Sequence, residues 1–311
     1  MKTLIYGAIA LDDIYFPSTT LKNVVGGSAV YASLAASLFT DATIGGVLGS
    51  DFPKEYLKTL RSKQIDLSVL QKSSKPSFYW KAIYSEDLSN LTTLKLDMNA
   101  LEDFKVDGLK LKASNCKVAF IANIDPDIQL QIMQALPDKT IKILDSMDLW
   151  IIEKRKLLEK VLKFTDIFLI GEKEVHLFAD GEKMIQSIIN KTMSFGPKVV
   201  IVKKGEHGMC MYGKLGTLAI PSYPLTYAID PSGAGDSLGG VIAGVLSRIG
   251  SLNEKSIKTA LMIGTVVSSF VVEDYVTERL HNLSTDEIRN RLQMFLTQLP
   301  NSEKLLVDKV L

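Results

Sequence analysis

The feature that most constrains this chain is a rhythm: short, almost wholly apolar runs alternate with longer amphipathic segments through most of its length. Continuous apolar runs suit strands covered on both faces, and helices packed on both sides of a parallel sheet provide that cover. The runs Lys2–Ile5, Thr43–Leu48, Val118–Ala122, Ile141–Leu144, Asp166–Leu169 and Val199–Val202 are therefore expected to be strands. Helices are expected over Ala29–Leu38, Pro53–Lys63, Ile128–Ala135, Ile151–Leu162, Glu172–Phe178, Glu182–Asn190, Ala234–Arg248, Asn253–Val271 and Thr285–Gln298. Met209–Tyr212 and Leu218–Ile220 read as a hairpin near the sheet edge. Two stretches break the rhythm. Asp12–Leu21 is short and mixed, and Phe78–Leu96 carries aromatics and Thr without a helical period. Both are expected to be antiparallel strands forming a small β lid over a ligand site.

Composition narrows the class. With 46% hydrophobic residues in 311, the chain has enough apolar surface to exclude disorder over most of its length. We read residues 1–311 as a single domain, with the lid strands at about 12–21 and 78–96. Lys and Arg total 36 against 35 Asp and Glu, a net charge of +1, which argues against a broadly basic nucleic-acid binder. The longest uncharged stretch, Asn23–Thr40, is long enough for a membrane span but is diluted by Gly26, Gly27, Ser28, Ser33, Ser37 and Thr40. It reads as a glycine turn and a buried helix, so no membrane partner is expected. Cys116 and Cys210 are too few for a disulfide framework, and His176, His207 and His281 are scattered. With no secretory signal at the N-terminus, a cytoplasmic location is expected.

The most informative segment is Ile229-Asp230-Pro231-Ser232-Gly233-Ala234-Gly235-Asp236-Ser237-Leu238-Gly239-Gly240, which leads into an apolar helical run. Gly233, Ala234 and Gly235 leave the backbone bare at a helix N-terminus, where unpaired N–H groups and the helix dipole attract an anion. Asp236 would lie beside that anion and accept a proton from an approaching hydroxyl. This combination fits phosphoryl transfer, with the turn stabilising the moving phosphoryl group and Asp236 as general base. The plainer alternative is an Asp that caps a closely packed helix.

Two other glycine patterns fail. Gly208–Lys214 resembles a P-loop, but Leu215 stands where Ser or Thr is needed and a strand follows. Gly233-Ala-Gly235 lacks the third glycine of a dinucleotide fingerprint.

The segment DPSGAGDSLGG resembles the C-terminal signature of the ribokinase-like, or PfkB, family of carbohydrate and nucleoside kinases. Gly26-Gly27-Ser28-Ala29-Val30-Tyr31 resembles the family's glycine pair and helix, and Gly7–Asp12 its first strand, ending in a substrate-binding Asp. Val199–Gly208 resembles the strand and glycine turn beside the nucleotide. The resemblance implies a three-layer α/β sandwich around a mostly parallel sheet, a small β lid, ATP and Mg²⁺. It implies that Asp236 is the base, that Gly233, Ala234 and Gly235 form the anion hole, and that Asp12, Gly26 and Gly27 bind substrate hydroxyls. Gly205 and Gly208 would flank the nucleotide, and Asp230 and Ser232 match positions that hold a monovalent cation such as K⁺. The family's Asn-x-x-Glu appears as Gly171-Glu172-Lys173-Glu174, leaving Glu174 to organise Mg²⁺. Tyr31 replaces a substrate-side Asn, where it would either stack on substrate or pack. Lys203 replaces a Thr at the nucleotide.

Strand ends add Asn123 and Asp145 as residues placed to line a site, or else to cap and turn. Tyr79, Trp80 and Lys81 in the lid would cover the substrate or pack within it. The expected activity is ATP-dependent transfer of the γ-phosphoryl group to a hydroxyl of a small sugar. A nucleoside acceptor is the first alternative and a non-catalytic nucleotide or metabolite sensor the second. Exposed aromatics at Phe78, Tyr79 and Trp80 would let two lids pair in a homodimer.

Overall fold

The computed structural model describes residues 2–106, 116–299 and 305–311. Its strands are β1 (Lys2–Tyr6), β2 (Ala10–Tyr15), β3 (Thr20–Gly26), β4 (Asp41–Leu48), β5 (Asp66–Lys72), β6 (Phe78–Tyr84), β7 (Leu91–Asp97), β8 (Val118–Ile121), β9 (Ile141–Asp145), β10 (Ile167–Gly171), β11 (Val199–Lys203), β12 (Met209–Gly213) and β13 (Leu218–Ile220). Nine of them form one sheet in the order β13-β12-β11-β10-β9-β8-β1-β4-β5. From β11 to β5 every neighbouring pair is parallel, while β12 and β13 add the expected antiparallel hairpin at one edge.

The apolar strands are fully buried because both faces are covered. Ile5, Val118, Phe120, Ile167, Leu169, Val199 and Ile201 point into one core, against the helices Ser28–Ser37, Ala234–Ile249, Glu254–Val271 and Thr285–Thr297. The alternate residues Leu4, Tyr6, Ala119, Ile121, Phe168, Ile170, Val200 and Val202 point into the other, against Pro126–Ala135, Arg155–Leu162, Glu172–Leu177 and Ile185–Ser194. This is the three-layer arrangement that the rhythm of the sequence implies. Helix Ser28–Ser37 is buried from Ser28 to Ala36, which accounts for a segment that is apolar without a helical stripe. It packs tightly on Ala234–Ile249, because a side chain at Gly240 would stand 2.2 Å from the Ala32 carbonyl oxygen. No described helix is long and apolar enough to cross a membrane.

Several elements depart from expectation. Edge strand β5 was not foreseen, because only Val69 of it is buried and no apolar run announces it. The helix expected over Ile151–Leu162 is two, Asp148–Glu153 and Arg155–Leu162, broken at Lys154, whose ammonium reaches Asp125 and Asp127. The helix expected from Glu182 starts at Ile185, because the Glu182 carboxylate accepts the Lys183 and Met184 N–H groups ahead of it. The short helix Glu278–Asn282 was also missed. The lid is a four-stranded sheet, β3-β2-β6-β7. Its two hairpins are antiparallel internally, yet they join through a parallel β2–β6 pair. Phe78 is buried, and Tyr79 and Trp80 are half-buried, so the exposed aromatic edge expected for lid pairing is not there. Cys116 is buried and Cys210 half-buried.

Candidate active site

Parallel strands deliver their carboxyl ends to one rim of the sheet, where ligands of open α/β folds gather. β9 ends at Asp145, β10 at Gly171 and β11 at Lys203, and Asn123 lies just past β8. Helix Ala234–Ile249 begins above this rim. Its N-cap, Gly233, has φ +73°, a left-handed conformation that glycine adopts freely. A Cβ there would also lie 2.2 Å from the Tyr31 ring. The sequence PSGAG thus turns sharply over Tyr31 and presents the first N–H groups of a long helix to the rim.

Asp236 stands in the first turn of that helix and is half-buried. Among the described residues its carboxylate makes no hydrogen bond or ion pair, so it does not cap the helix. Burial, then the charge of Asp145, push its pKa up to about 7, against the opposing pull of Lys203. A carboxylate so placed holds a proton firmly enough to take one from an alcohol in a transition state.

Asp12 faces the same region from the lid. It is 4% exposed, and one carboxylate oxygen has no hydrogen-bond partner among the described residues. Burial raises its pKa well above the usual range, and the charges of Asp236, Asp13 and Asp230 add to the effect. Gly26 makes room for it, since a Cβ there would be 2.0 Å from the other Asp12 oxygen. Gly27 caps helix Ser28–Ser37, with its own would-be Cβ 2.4 Å from the Ala8 carbonyl. Ser28 Oγ donates to the Asn123 carbonyl at 2.8 Å and accepts the Ala8 N–H at 3.1 Å, binding three segments of the rim together. The Asn123 side chain donates to the Met147 sulfur, and its buried amide oxygen has no hydrogen-bond partner among the described residues.

Tyr31 is 3% exposed and lies beneath Gly233. It supports the turn, and of the two alternatives, stacking on substrate or packing, this contact favours packing. Lys203 does not stand free at the nucleotide either. Its Nζ donates to both Asp145 oxygens, at 2.8 and 2.6 Å. Asp145 and Glu174 outweigh the cost of burying the Lys203 charge and raise its pKa. Gly205 opens onto free space, whereas Gly208 is packed against the β13 end, with a would-be Cβ 2.1 Å from the Ile220 carbonyl.

The residues expected to hold metal differ in fit. Glu174 Oε2 accepts the Gly171 N–H at 2.6 Å at the position where the family Asn is missing; glycine has no side chain to return a bond to the helix start. Burial pushes Glu174 up to about 7, with Lys203 opposing and Asp145 reinforcing. One Glu174 oxygen remains for a cation. Among the described residues no three His, Cys, Asp or Glu side chains form a metal cage. Such a donor set fits Mg²⁺ carried on phosphates, which takes few protein ligands. Asp230 is 0% exposed, and its oxygens accept the Ser232 and Val276 N–H groups. No cationic side chain among the described residues neutralises it, a deficit that a monovalent cation or a proton would remove. Ser232 Oγ lies 3.0 Å from Tyr84 Oη, a contact between lid and turn that no sequence signal announces.

On the lid, Trp80 pairs in register with Asp12 and so shares its face. Tyr79 and Lys81 alternate to the opposite face, where they line a cleft of about 340 Å³ with Leu11 and Asp51. Of the three residues expected to cover substrate, only Trp80 faces the Asp12 side.

The family model described as pfkB family carbohydrate kinase matches residues 11–280. A cytidine kinase of Thermococcus kodakarensis is 27% identical over 252 residues, 78% of this chain and 88% of that protein. A nucleoside kinase of Methanocaldococcus jannaschii is 26% identical over 286 residues, 88% and 90% of the two chains. The solved nucleoside kinase of Burkholderia thailandensis in complex with inosine superposes with a TM-score of 0.81 at 20% identity, covering 96% of this chain and 100% of that one. That last likeness is one of fold. The family match takes in Asp12, the Gly26–Gly27 pair, Lys203 and the whole Gly233–Asp236 turn, and with it the chain belongs to the pfkB family of carbohydrate kinases, phosphotransferases that act on hydroxyl acceptors.

Proposed function

We propose that the chain transfers the γ-phosphoryl group of ATP to a hydroxyl of a nucleoside. The observation that carries the transfer chemistry is the free, half-buried Asp236 carboxylate beside the bare Gly233–Gly235 helix start. The acceptor binds with sugar hydroxyls on Asp12, whose carboxylate oxygens accept from a diol. Asn123 offers a further buried acceptor. Asp236 takes the proton of the attacking hydroxyl. The acceptor oxygen forms its bond to the γ-phosphorus as the bond to the β–γ bridging oxygen breaks, and ADP leaves. The N–H groups at Gly233, Ala234 and Gly235 meet the charge on the moving group. Glu174 and the nucleotide phosphates would hold Mg²⁺, which would add charge neutralisation. Asp230 and Ser232 would hold a monovalent cation, which would supply the charge that Asp230 lacks. The lid closes over the reactants through Tyr84 and Ser232 and excludes water as a competing acceptor.

Sequence motifs alone put a free sugar first. Two observations favour a nucleoside. The curated relatives are named cytidine kinase and nucleoside kinase. The flat Trp80 indole lies beside Asp12 on the lid, where a base attached to a sugar would stack. The test is transfer of labelled γ-phosphoryl from ATP to a panel of pyrimidine nucleosides, purine nucleosides, pentoses and hexoses. A nucleoside is expected to exceed every free sugar in kcat/KM by at least ~10-fold, the scale of one stacked ring. A free sugar as the best acceptor would refute the nucleoside reading. Tight ligand binding with no product from any acceptor would favour the sensor.

A further inference from the structure

Among the described residues Val276 is the one β-branched residue in the left-handed region, at φ +46°. That conformation is costly for valine, and it persists only where neighbouring contacts hold it. The contacts come from two sides. Thr277, next in the chain, is buried, with its hydroxyl 2.7 Å from Tyr56 Oη and 3.1 Å from His281 Nε2, so it is fixed to the body of the protein. Tyr275, on the other side, is held by the lid. Its ring meets Phe16 edge-on with centroids 5.2 Å apart, and its Oη lies 3.4 Å from Ser18 Oγ. Phe16 and Ser18 lie in the turn between β2 and β3, and Phe16 stacks on Tyr84 of β6 at 5.2 Å. Val276 itself packs against this lid cluster of Ile14, Phe16 and Tyr84. In its strained form the Val276 N–H donates to Asp230 Oδ2 at 2.9 Å, while Asp230 Oδ1 accepts the Ser232 N–H at 2.8 Å. Both donors to Asp230 thus answer to the lid, since the Ser232 hydroxyl is the one that meets Tyr84.

We infer that Tyr275 and Val276 are positioning residues, through which the lid decides whether the phosphoryl-binding turn is assembled. An acceptor on Asp12, in the same hairpin as Phe16, draws the lid down. Phe16 then presses on Tyr275, and Val276 is held in the left-handed form that gives its N–H to Asp230. With the lid raised, Val276 relaxes to an ordinary backbone conformation and its N–H leaves Asp230. The segment from Ser232 into Gly233–Gly235 loses that anchor. Nucleotide and acceptor therefore strengthen each other's binding, and water is a poor acceptor because it cannot shut the lid. The inference deepens the kinase reading and rests on it, since the turn that the lid assembles is the one that meets the moving phosphoryl group.

Calorimetry with the β,γ-imido analogue of ATP, with Mg²⁺ present, tests this without turnover. Its affinity is measured with and without the acceptor of highest kcat/KM in the panel above, for the wild type, Tyr275→Ala and Val276→Gly. The ratio of the two affinities is the readout, because a merely structural loop would lower both alike. In the wild type the acceptor should tighten the analogue ~5–100-fold, the range of coupled sites. Tyr275→Ala should bring that ratio below ~2-fold by weakening the complex that contains the acceptor. Val276→Gly keeps the N–H and removes the strain, so it should lower the ratio from the other side, by tightening the complex without acceptor. It should also raise ATP hydrolysis in the absence of acceptor. If the wild type phosphorylates the acceptor but the analogue binds equally well without it, the inference fails and the kinase reading stands. A folded Val276→Gly variant that keeps the full ratio of the wild type would also overturn the inference. A wild type that phosphorylates nothing in the panel would overturn both.

Discussion

Replacing Asp236 by asparagine separates two consequences of one carboxylate. Burial and the charge of Asp145 raise its pKa from 3.8 to about 7. Each tenfold change in proton affinity corresponds to ~1.4 kcal/mol, so ionising Asp236 in the folded chain costs at most ~4 kcal/mol above pH 7. Its half-buried side chain retains some solvent, and ~1–3 kcal/mol is the working figure. The sign follows from linkage. A carboxylate whose folded pKa is raised contributes stability that is complete below pH 3.8 and lost as pH rises through about 7. Asparagine is never ionised, so at pH 8 the variant should melt ~2–6 °C above the wild type, and at pH 4 the difference should vanish. Turnover should move the other way and fall at least ~100-fold, the scale of a general base. Scanning calorimetry at the two pH values, paired with steady-state phosphoryl transfer, reads both. A variant that loses turnover and stability together would show Asp236 to be a structural cap, and near-normal turnover would remove the mechanism.

Other outcomes follow from the same geometry. The kcat/KM of the wild type should fall ~10-fold per pH unit below about 7, because the base must be ionised. Glu174 titrates near the same value, so Glu174→Gln should keep that limb if Asp236 is its source. Gly233→Ala forces a Cβ to 2.2 Å from the Tyr31 ring at φ +73°; chemical denaturation should show a loss of ~1–3 kcal/mol, with weakened ADP binding. Gly205→Ala meets nothing within 4 Å, and its cost should stay near ~1 kcal/mol, from backbone strain alone. Tyr84→Phe removes the lid contact to Ser232 and should raise acceptor KM ~2–10-fold with little change in kcat, the scale of one neutral hydrogen bond.

The sheet and its two layers were legible because burial on both faces writes itself as apolar runs, as at Val199–Lys203. β5 was illegible for the converse reason: an edge strand exposes most of its side chains. The site divides along the same line. The turn at Gly233–Gly235 was readable because its backbone needs bare residues, and Asp12 only through the family resemblance, which expects it at the end of the first strand, whereas it lies inside β2. Lys203 and Asp145 are 58 residues apart in sequence, and only the parallel order of β9, β10 and β11 brings them into one ion pair. Tyr31 posed a choice between stacking and packing, and only the folded chain shows the closeness to Gly233 that favours packing. The lid strands were visible as aromatic, Thr-rich segments, but which aromatics face the site depends on register, and register is a property of the folded β2–β6 pair.

The most direct measurement of the central chemistry is a crystal structure with nucleoside, ADP and a metal fluoride that mimics the moving phosphoryl group. The fluoride should lie on the N–H groups of Gly233, Ala234 and Gly235, with an Asp236 oxygen about 3 Å from the acceptor hydroxyl. A phosphoryl mimic bound elsewhere on the rim, or an acceptor hydroxyl out of hydrogen-bond reach of Asp236, would contradict it.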